Sequence, residues 1–218
     1  MVTLRNSNNP NWSLGFSLQL ELKLLADVGL VGFPNAGKST LLSVVSHARP
    51  KIADYPFTTL EPQLGMVELD VERCFVIADI PGIIQGASEG AGLGHRFLRH
   101  IERSAILLFI VDAGPWADPD PVRALPILQA ELAAHAPELV GKARLVVANK
   151  LDLVEDGDVP GELRDYCAAQ GLPLFPISAA TGQGIPALLE AIWPLVVDHR
   201  ETRDSPGRPP APDDVAWE

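Results

Sequence analysis

The most regular feature of the chain is a set of short, nearly uninterrupted apolar runs that each end on a polar or turn-forming residue. Leu24 to Val31 is apolar except for Asp27, Ala105–Val111 runs unbroken to Asp112, and Leu145–Ala148 ends on Asn149. Strands covered by helices on both faces read this way. Between them lie stretches of helical period: a segment ending near His47, Leu93 to Arg103, Val122–His135 with Pro126 inside it, Gly161–Gln170, and Ile185 to about Val197. Leu64–Val71 and Cys74–Ala78 flank a turn at Glu72-Arg73 and predict an antiparallel hairpin, and Leu172–Ile177 predicts a further strand. Strands alternating with helices predict an α/β fold: a doubly wound, mostly parallel sheet with one antiparallel strand and ligand loops at the carboxyl ends.

The flanks lack this order. Residues 1–17 are an irregular, Asn-rich leader, and Leu18–Lys23 alternates as either an edge strand or the remnant of a preceding domain would. Residues 49–63 hold Pro50, Pro56 and Pro62, which exclude a helix and predict a mobile loop. Residues 200–218 carry Pro206, Pro209, Pro210 and Pro212 among Asp204, Asp213 and Asp214, the composition of a flexible tail. The expected organisation is thus 1–23, a domain over 24–199, and a tail over 200–218.

Composition narrows this picture. The 218 residues hold 17 Lys and Arg against 28 Asp and Glu, a net charge of −11 that disfavours wholesale binding to nucleic acid. Cys74 and Cys167 are far apart and lack metal-ligand spacing, so both are expected to be buried thiols. There is no basic-then-apolar signal pattern and no uncharged apolar run near ~18 residues, so a cytoplasmic protein with no membrane contact is expected.

The candidate chemistry lies where the strands end. Gly32-Phe33-Pro34-Asn35-Ala36-Gly37-Lys38-Ser39 fits G-x-x-x-x-G-K-[ST], a phosphate-binding P-loop between a strand and a helix. Its backbone N–H groups and the helix N-terminus favour phosphate, Lys38 would reach the β- and γ-phosphates, and Ser39 would ligate Mg²⁺. Asp79 closes the hairpin's second strand, placed to hold Mg²⁺ through water, and Gly82 follows at Asp-x-x-Gly spacing with an N–H for the γ-phosphate. Asn149-Lys150-Leu151-Asp152 points to guanine. A carboxylate at Asp152 accepts from the guanine ring N–H and exocyclic amine, which adenine lacks in that arrangement. The Lys150 stem would cover the ring, Asn149 would tie this loop to the P-loop, and Ser178-Ala179-Ala180 would offer backbone N–H groups to the guanine oxygen.

Together with Pro50-Lys51-Ile52-Ala53-Asp54-Tyr55-Pro56-Phe57-Thr58-Thr59-Leu60, Asp79-Ile80-Pro81-Gly82-Ile83-Ile84 and Gly92-Leu93-Gly94-His95-Arg96-Phe97-Leu98-Arg99-His100-Ile101-Glu102-Arg103, this pattern resembles the translation-factor-like small GTPases and closely the Obg family of bacterial GTPases, over about residues 18–198. The resemblance implies a G domain in which Thr40 joins the nucleotide site and Thr59 closes on Mg²⁺ and the γ-phosphate. It implies that Phe57, Thr58, Leu60 and Glu61 touch the nucleotide, with Ile80 and Pro81 beside it. It also implies GTP and GDP as ligands, guanosine tetraphosphate in the same pocket, and a role in large-subunit ribosome assembly and stress signalling. The chain matches the G domain alone and is expected to be a monomer.

Ile83 stands where many GTPases have a water-orienting glutamine and is followed by Ile84, and neither can hydrogen-bond water, so slow intrinsic turnover is expected. Asn35 is either a loop-fitting residue or, as in similar P-loops, a K⁺ ligand, and Gln85 lies two residues late to substitute. Arg96, Arg99, His100 and Arg103 share a helical face, either plainly solvated or a contact for ribosomal RNA. Two function classes stay open, a GTPase and a nucleotide-gated binding module with negligible turnover. An ATP-using enzyme is opposed by Asp152.

Overall fold

The five residues of β1 (Val28–Gly32) are all buried, and this strand lies mid-sheet with a parallel neighbour on each side. The computed structural model describes residues 26–47, 51–52, 63–79, 106–135 and 137–204. In chain order β1 is followed by α1 (Lys38–Val45), β2 (Lys51–Ile52), β3 (Gln63–Glu68), β4 (Cys74–Asp79), β5 (Ile106–Asp112), α2 (Pro121–His135), β6 (Ala143–Asn149), α3 (Gly161–Ala169), β7 (Leu174–Pro176) and α4 (Ile185–Asp204). The seven-stranded sheet has the order β2-β3-β4-β1-β5-β6-β7. Among the described strands only β3 runs against the others, pairing antiparallel with β2 and β4, so the expected doubly wound sheet with one antiparallel strand is what forms.

Alternation along each strand divides the core in two. Ile106, Leu108 and Ile110 of β5 join α1 and the Ile185, Leu188, Ile192, Val196 stripe of α4 on one face. Leu107, Phe109 and Val111 face the opposite way, with Leu125, Leu128 and Leu132 of α2 and Leu163 of α3. A continuous apolar strand is therefore two half-strands serving two cores. α2 continues through Pro126.

The structure moves several boundaries. The first strand begins at Val28 rather than Leu24, because Asp27 does other work. Its Oδ2 accepts from the Val76 N–H (2.9 Å) and from Arg200 Nη2 (2.8 Å), while Oδ1 accepts from Arg200 Nε (3.1 Å). Arg200 also donates to the Cys74 carbonyl (3.1 Å) and lies over the Trp193 ring (5.9 Å). This clasp explains why the last helix runs to Asp204 instead of ending near Val197, taking residues 200–204 into regular structure. β3 ends at Glu68, not Val71, because Asp70 Oδ1 accepts from the Glu72 and Arg73 N–H groups and closes the turn. Lys51–Ile52, expected within a mobile loop, pairs with Leu64 and Gln63 as a short edge strand. Cys74 is exposed rather than buried: it opens β4 beside that turn, while Cys167 is buried and its thiol is pushed up by desolvation. The segment 18–23, the helix expected over Leu93–Arg103 with its basic face, and residues 205–218 lie outside the described residues.

The Asp27 side chain is 12% exposed, so removing its partner leaves a carboxylate largely cut off from water. Arg200→Ala should lower unfolding stability by about 1–3 kcal/mol in urea titration, and Arg200→Lys should restore only part, because lysine cannot make the two-pronged contact. An unchanged midpoint for Arg200→Ala would show the clasp to be inert.

Candidate nucleotide-binding site

The carboxyl ends of the parallel strands form one rim, and Lys38, Ser39, Asp79, Asn149, Lys150, Asp152 and Ser178 gather there. β1 gives way to the loop 33–37, and α1 starts at Lys38. Two residues of this loop adopt the left-handed region, Asn35 (φ 61°) and Gly37 (φ 95°). Asparagine tolerates that conformation better than most side chains, and Gly37 has a second constraint. A Cβ there would lie 2.1 Å from Asn149 Nδ2, so glycine is the one residue that lets the strand-end loops meet.

Lys38 bends back over its own loop, donating from Nζ to the Gly32 carbonyl (2.9 Å) and the Phe33 carbonyl (3.0 Å). Burial lowers its pKa from the ordinary lysine value, while the nearby Asp79 carboxylate acts in the other direction. The Ser39 hydroxyl donates to Asp79 Oδ2 (3.0 Å), joining the start of α1 to the end of β4. Asp79 is almost fully buried, as the last residue of a strand flanked by β1 and β3.

Asn149 binds two loops at once. Its Nδ2 donates to the Ala36 carbonyl (2.8 Å), and its Oδ1 accepts from the Ala179 N–H (2.9 Å). The expected tie to the P-loop is present, and the second bond adds the loop after β7. Asp152 lies in the short turn Leu151–Leu153, where its Oδ1 accepts from the Ser178 hydroxyl (2.5 Å). Ser178 Oγ in turn accepts from the Thr181 N–H (3.1 Å), and the Leu151 N–H donates to the Ile177 carbonyl (3.2 Å). One expectation changes here: the Ser178 N–H donates to the Gln183 carbonyl (3.0 Å) and the Ala179 N–H to Asn149, so two of the three N–H groups expected for the guanine oxygen are already paired. Ser178 contributes its hydroxyl instead, while Ala36 provides the anchoring carbonyl. Thr40, Leu151 and Ala180 lie in the same segments.

One residue escaped the sequence reading. Asp112 ends β5 in register with Asn149, and its Oδ2 accepts from Lys150 Nζ (2.5 Å) while Oδ1 accepts from the Gly114 N–H (2.9 Å). Its signal was a carboxylate at a strand's carboxyl end, the same signal that singled out Asp79. Phe57, Thr58, Thr59, Leu60, Glu61, Ile80, Pro81, Gly82, Ile83, Ile84 and Gln85 lie outside the described residues.

A phosphate-loop strand-turn-helix, a serine and a carboxylate meeting beside it, and a second loop locked to the first thus share one rim. The profile of the 50S ribosome-binding GTPase family matches residues 27–150. The chain belongs to that family. It is 58% identical over 175 residues to the GTPase Obg of Solibacter usitatus (strain Ellin6076), covering 80% of this chain and 52% of that one. It is 55% identical over 174 residues to the GTPase Obg of Aquifex aeolicus (strain VF5), covering 80% of this chain and 51% of that one. The resemblance to Obg GTPases is borne out, and the chain spans about half the length of the curated relatives it matches. A mutant of Aquifex aeolicus Era bound to GDP and AlF4⁻ has a similar structure, with a TM-score of 0.57 and 26% identity over 86% of this chain and 60% of that one. A GDP-bound mutant of S. thermophilus NFeoB shares the fold, with a TM-score of 0.58 and 21% identity over 78% of this chain and 61% of that one.

Since the Asn149 amide is buried and held at both ends, it cannot yield to a methyl group at position 37. Gly37→Ala should cost about 2–4 kcal/mol of stability in thermal unfolding, combining strain at a left-handed position with lost buried hydrogen bonds. A melting temperature within a degree of the wild-type value would refute the interlock.

Proposed function

We propose that the chain binds GTP and GDP with Mg²⁺ and hydrolyses GTP slowly, acting as a switch whose partner, in the full-length protein, is the large ribosomal subunit. The observation that carries this reading is the Asn149 bridge, which places the Asp152 turn and the P-loop in one fixed frame. With Asp152 braced by Ser178, its remaining lone pairs suit the ring N–H and amine of guanine, and adenine would leave that carboxylate unpaired. Leu151, Ala179 and Ala180 would frame the base, with the Lys150 stem across it. Of the three ammonium donors of Lys38, two go to loop carbonyls, leaving the third for phosphate oxygens.

The donor set suits magnesium. The Ser39 hydroxyl and the Asp79 carboxylate are hard oxygens 3.0 Å apart at the mouth of the loop, the ligand chemistry this cation takes. Ser39 would ligate it directly and Asp79 through water, with Thr59 completing the set and Gly82 meeting the γ-phosphate. When bound, Mg²⁺ neutralises charge on the phosphate oxygens. Guanosine tetraphosphate would occupy the same pocket. The partner and the roles in ribosome assembly and stress signalling are drawn from the family, while a cytoplasmic location follows the sequence pattern of the termini and apolar runs, and a monomeric state is expected. Among the described residues no helix is long and apolar enough to cross a membrane. The second reading, a nucleotide-gated binding module without useful turnover, draws on Ile83, which cannot orient water.

Calorimetry should give tight binding of GDP and none of ADP, and equal affinities would overturn the guanine assignment. Asp152→Asn should exchange guanine for xanthine, whose carbonyl replaces the exocyclic amine and can accept from an amide, with at least about 100-fold loss of GDP affinity. For Asn35, single-turnover hydrolysis should be roughly 10-fold or more faster in KCl than in NaCl if K⁺ supplies positive charge beside the phosphates. Equal rates would leave Asn35 with the loop-fitting role that its left-handed backbone already accounts for.

A further inference from the structure

We propose that Asp112 is a positioning residue for the base pocket, holding the Lys150 side chain in its guanine-covering direction before nucleotide arrives. The inference rests on the reading that Lys150 lies across the guanine ring. Lys150 occupies the last position before the Leu151–Leu153 turn and has a left-handed backbone (φ 68°), a conformation lysine adopts at a cost. That backbone sets where the stem leaves the chain. The stem's own rotamers are then settled by Asp112, which takes Lys150 Nζ at 2.5 Å. Asp112 is itself fixed twice, by its place at the end of β5 opposite Asn149 and by the Gly114 N–H on its other oxygen. Each carboxylate oxygen therefore has one task, Oδ1 for its own loop and Oδ2 for Lys150.

The pair is half-buried, with side-chain exposures of 30% for Lys150 and 22% for Asp112, so it is screened less than a surface pair. A free lysine side chain surrenders most of its rotamer freedom when it is laid against a ligand. Ordering it in advance removes that loss from the binding step, so Asp112 strengthens guanine binding without touching the nucleotide. The contribution falls on the shared ring face and is blind to the exocyclic groups that Asp152 reads.

Asp112→Asn separates this role from a structural one, because the amide keeps an oxygen for the Gly114 N–H and loses the charge that holds Lys150. The measurement is dissociation of fluorescent GDP from the wild type, Asp112→Asn, Lys150→Ala and the double variant. Asp112→Asn should release GDP about 5- to 10-fold faster, with no further acceleration in the Lys150→Ala background. The ratio of GDP to inosine diphosphate affinity should stay at the wild-type value in Asp112→Asn. A wild-type dissociation rate in Asp112→Asn, or an effect that persists without Lys150, would overturn the proposal. Should Asp112→Asn melt several degrees lower, Lys150→Met makes the same test from the other side, keeping an apolar stem that cannot pair. It should match the Asp112→Asn rate, and wild-type release from it would equally overturn the role. A wild type that fails to prefer GDP over ADP would instead sink the guanine reading beneath it.

Discussion

The buried carboxamide of Asn149 is the contact on which the arrangement of the rim depends. At 1% exposure neither its donor nor its acceptor can turn to water, and a buried amide left unpaired costs a few kcal/mol, so both must be met by protein. They are met by Ala36 in the phosphate loop and Ala179 in the loop after β7. A single side chain thus makes two loops, 143 residues apart in sequence (179 − 36), hold one geometry. The demand propagates: the loop that approaches Asn149 must turn with a left-handed residue lacking a Cβ, and Gly37 is that residue.

The sheet explains why these groups can meet. In parallel strands every carboxyl end faces the same rim, so terminal residues of successive strands become neighbours however far apart they lie in the chain. Asp79, Asp112 and Asn149 each end a strand of this kind, and Ser178 follows β7 within two residues. Polar groups at the rim then find partners in the rim itself: Ser39 bonds the buried Asp79, Lys150 bonds Asp112, and the buried Ser178 bonds Asp152. The foot of the sheet is treated differently. There the Asp27–Arg200 clasp fastens the last helix to the start of β1 and, through the Val76 N–H and the Cys74 carbonyl, to β4. The candidate site lies at one end of the strands and the fastening of the last helix at the other.

Much of this was legible in the linear pattern, for physical reasons that vary by element. β1, β5 and β6 could be read because burial on both faces forces unbroken apolar runs, and α4 because its apolar residues follow the helical period through Val196. The end of α4 was not legible, since Arg200 looks like any solvated charge until Asp27 is seen opposite it. The exposure of Cys74 was not legible either, because apolar neighbours in sequence do not reveal that a strand's first residue lies beside an open turn.

The sequence by itself determined the family and the motifs on which the proposed chemistry rests. G-x-x-x-x-G-K-S, Asp79, Asn149 to Asp152 and Ser178 are short motifs whose residue types fit guanine nucleotide and Mg²⁺, and their order follows from strand alternation. Only the tertiary structure decided which of these groups restrain one another. Motifs record what each residue offers to a ligand. The bonds of Asn149 to Ala36 and Ala179, of Ser178 to Asp152, and above all of Asp112 to Lys150 join residues on different strands and loops. Their pairing depends on strand order and register, which no local pattern carries.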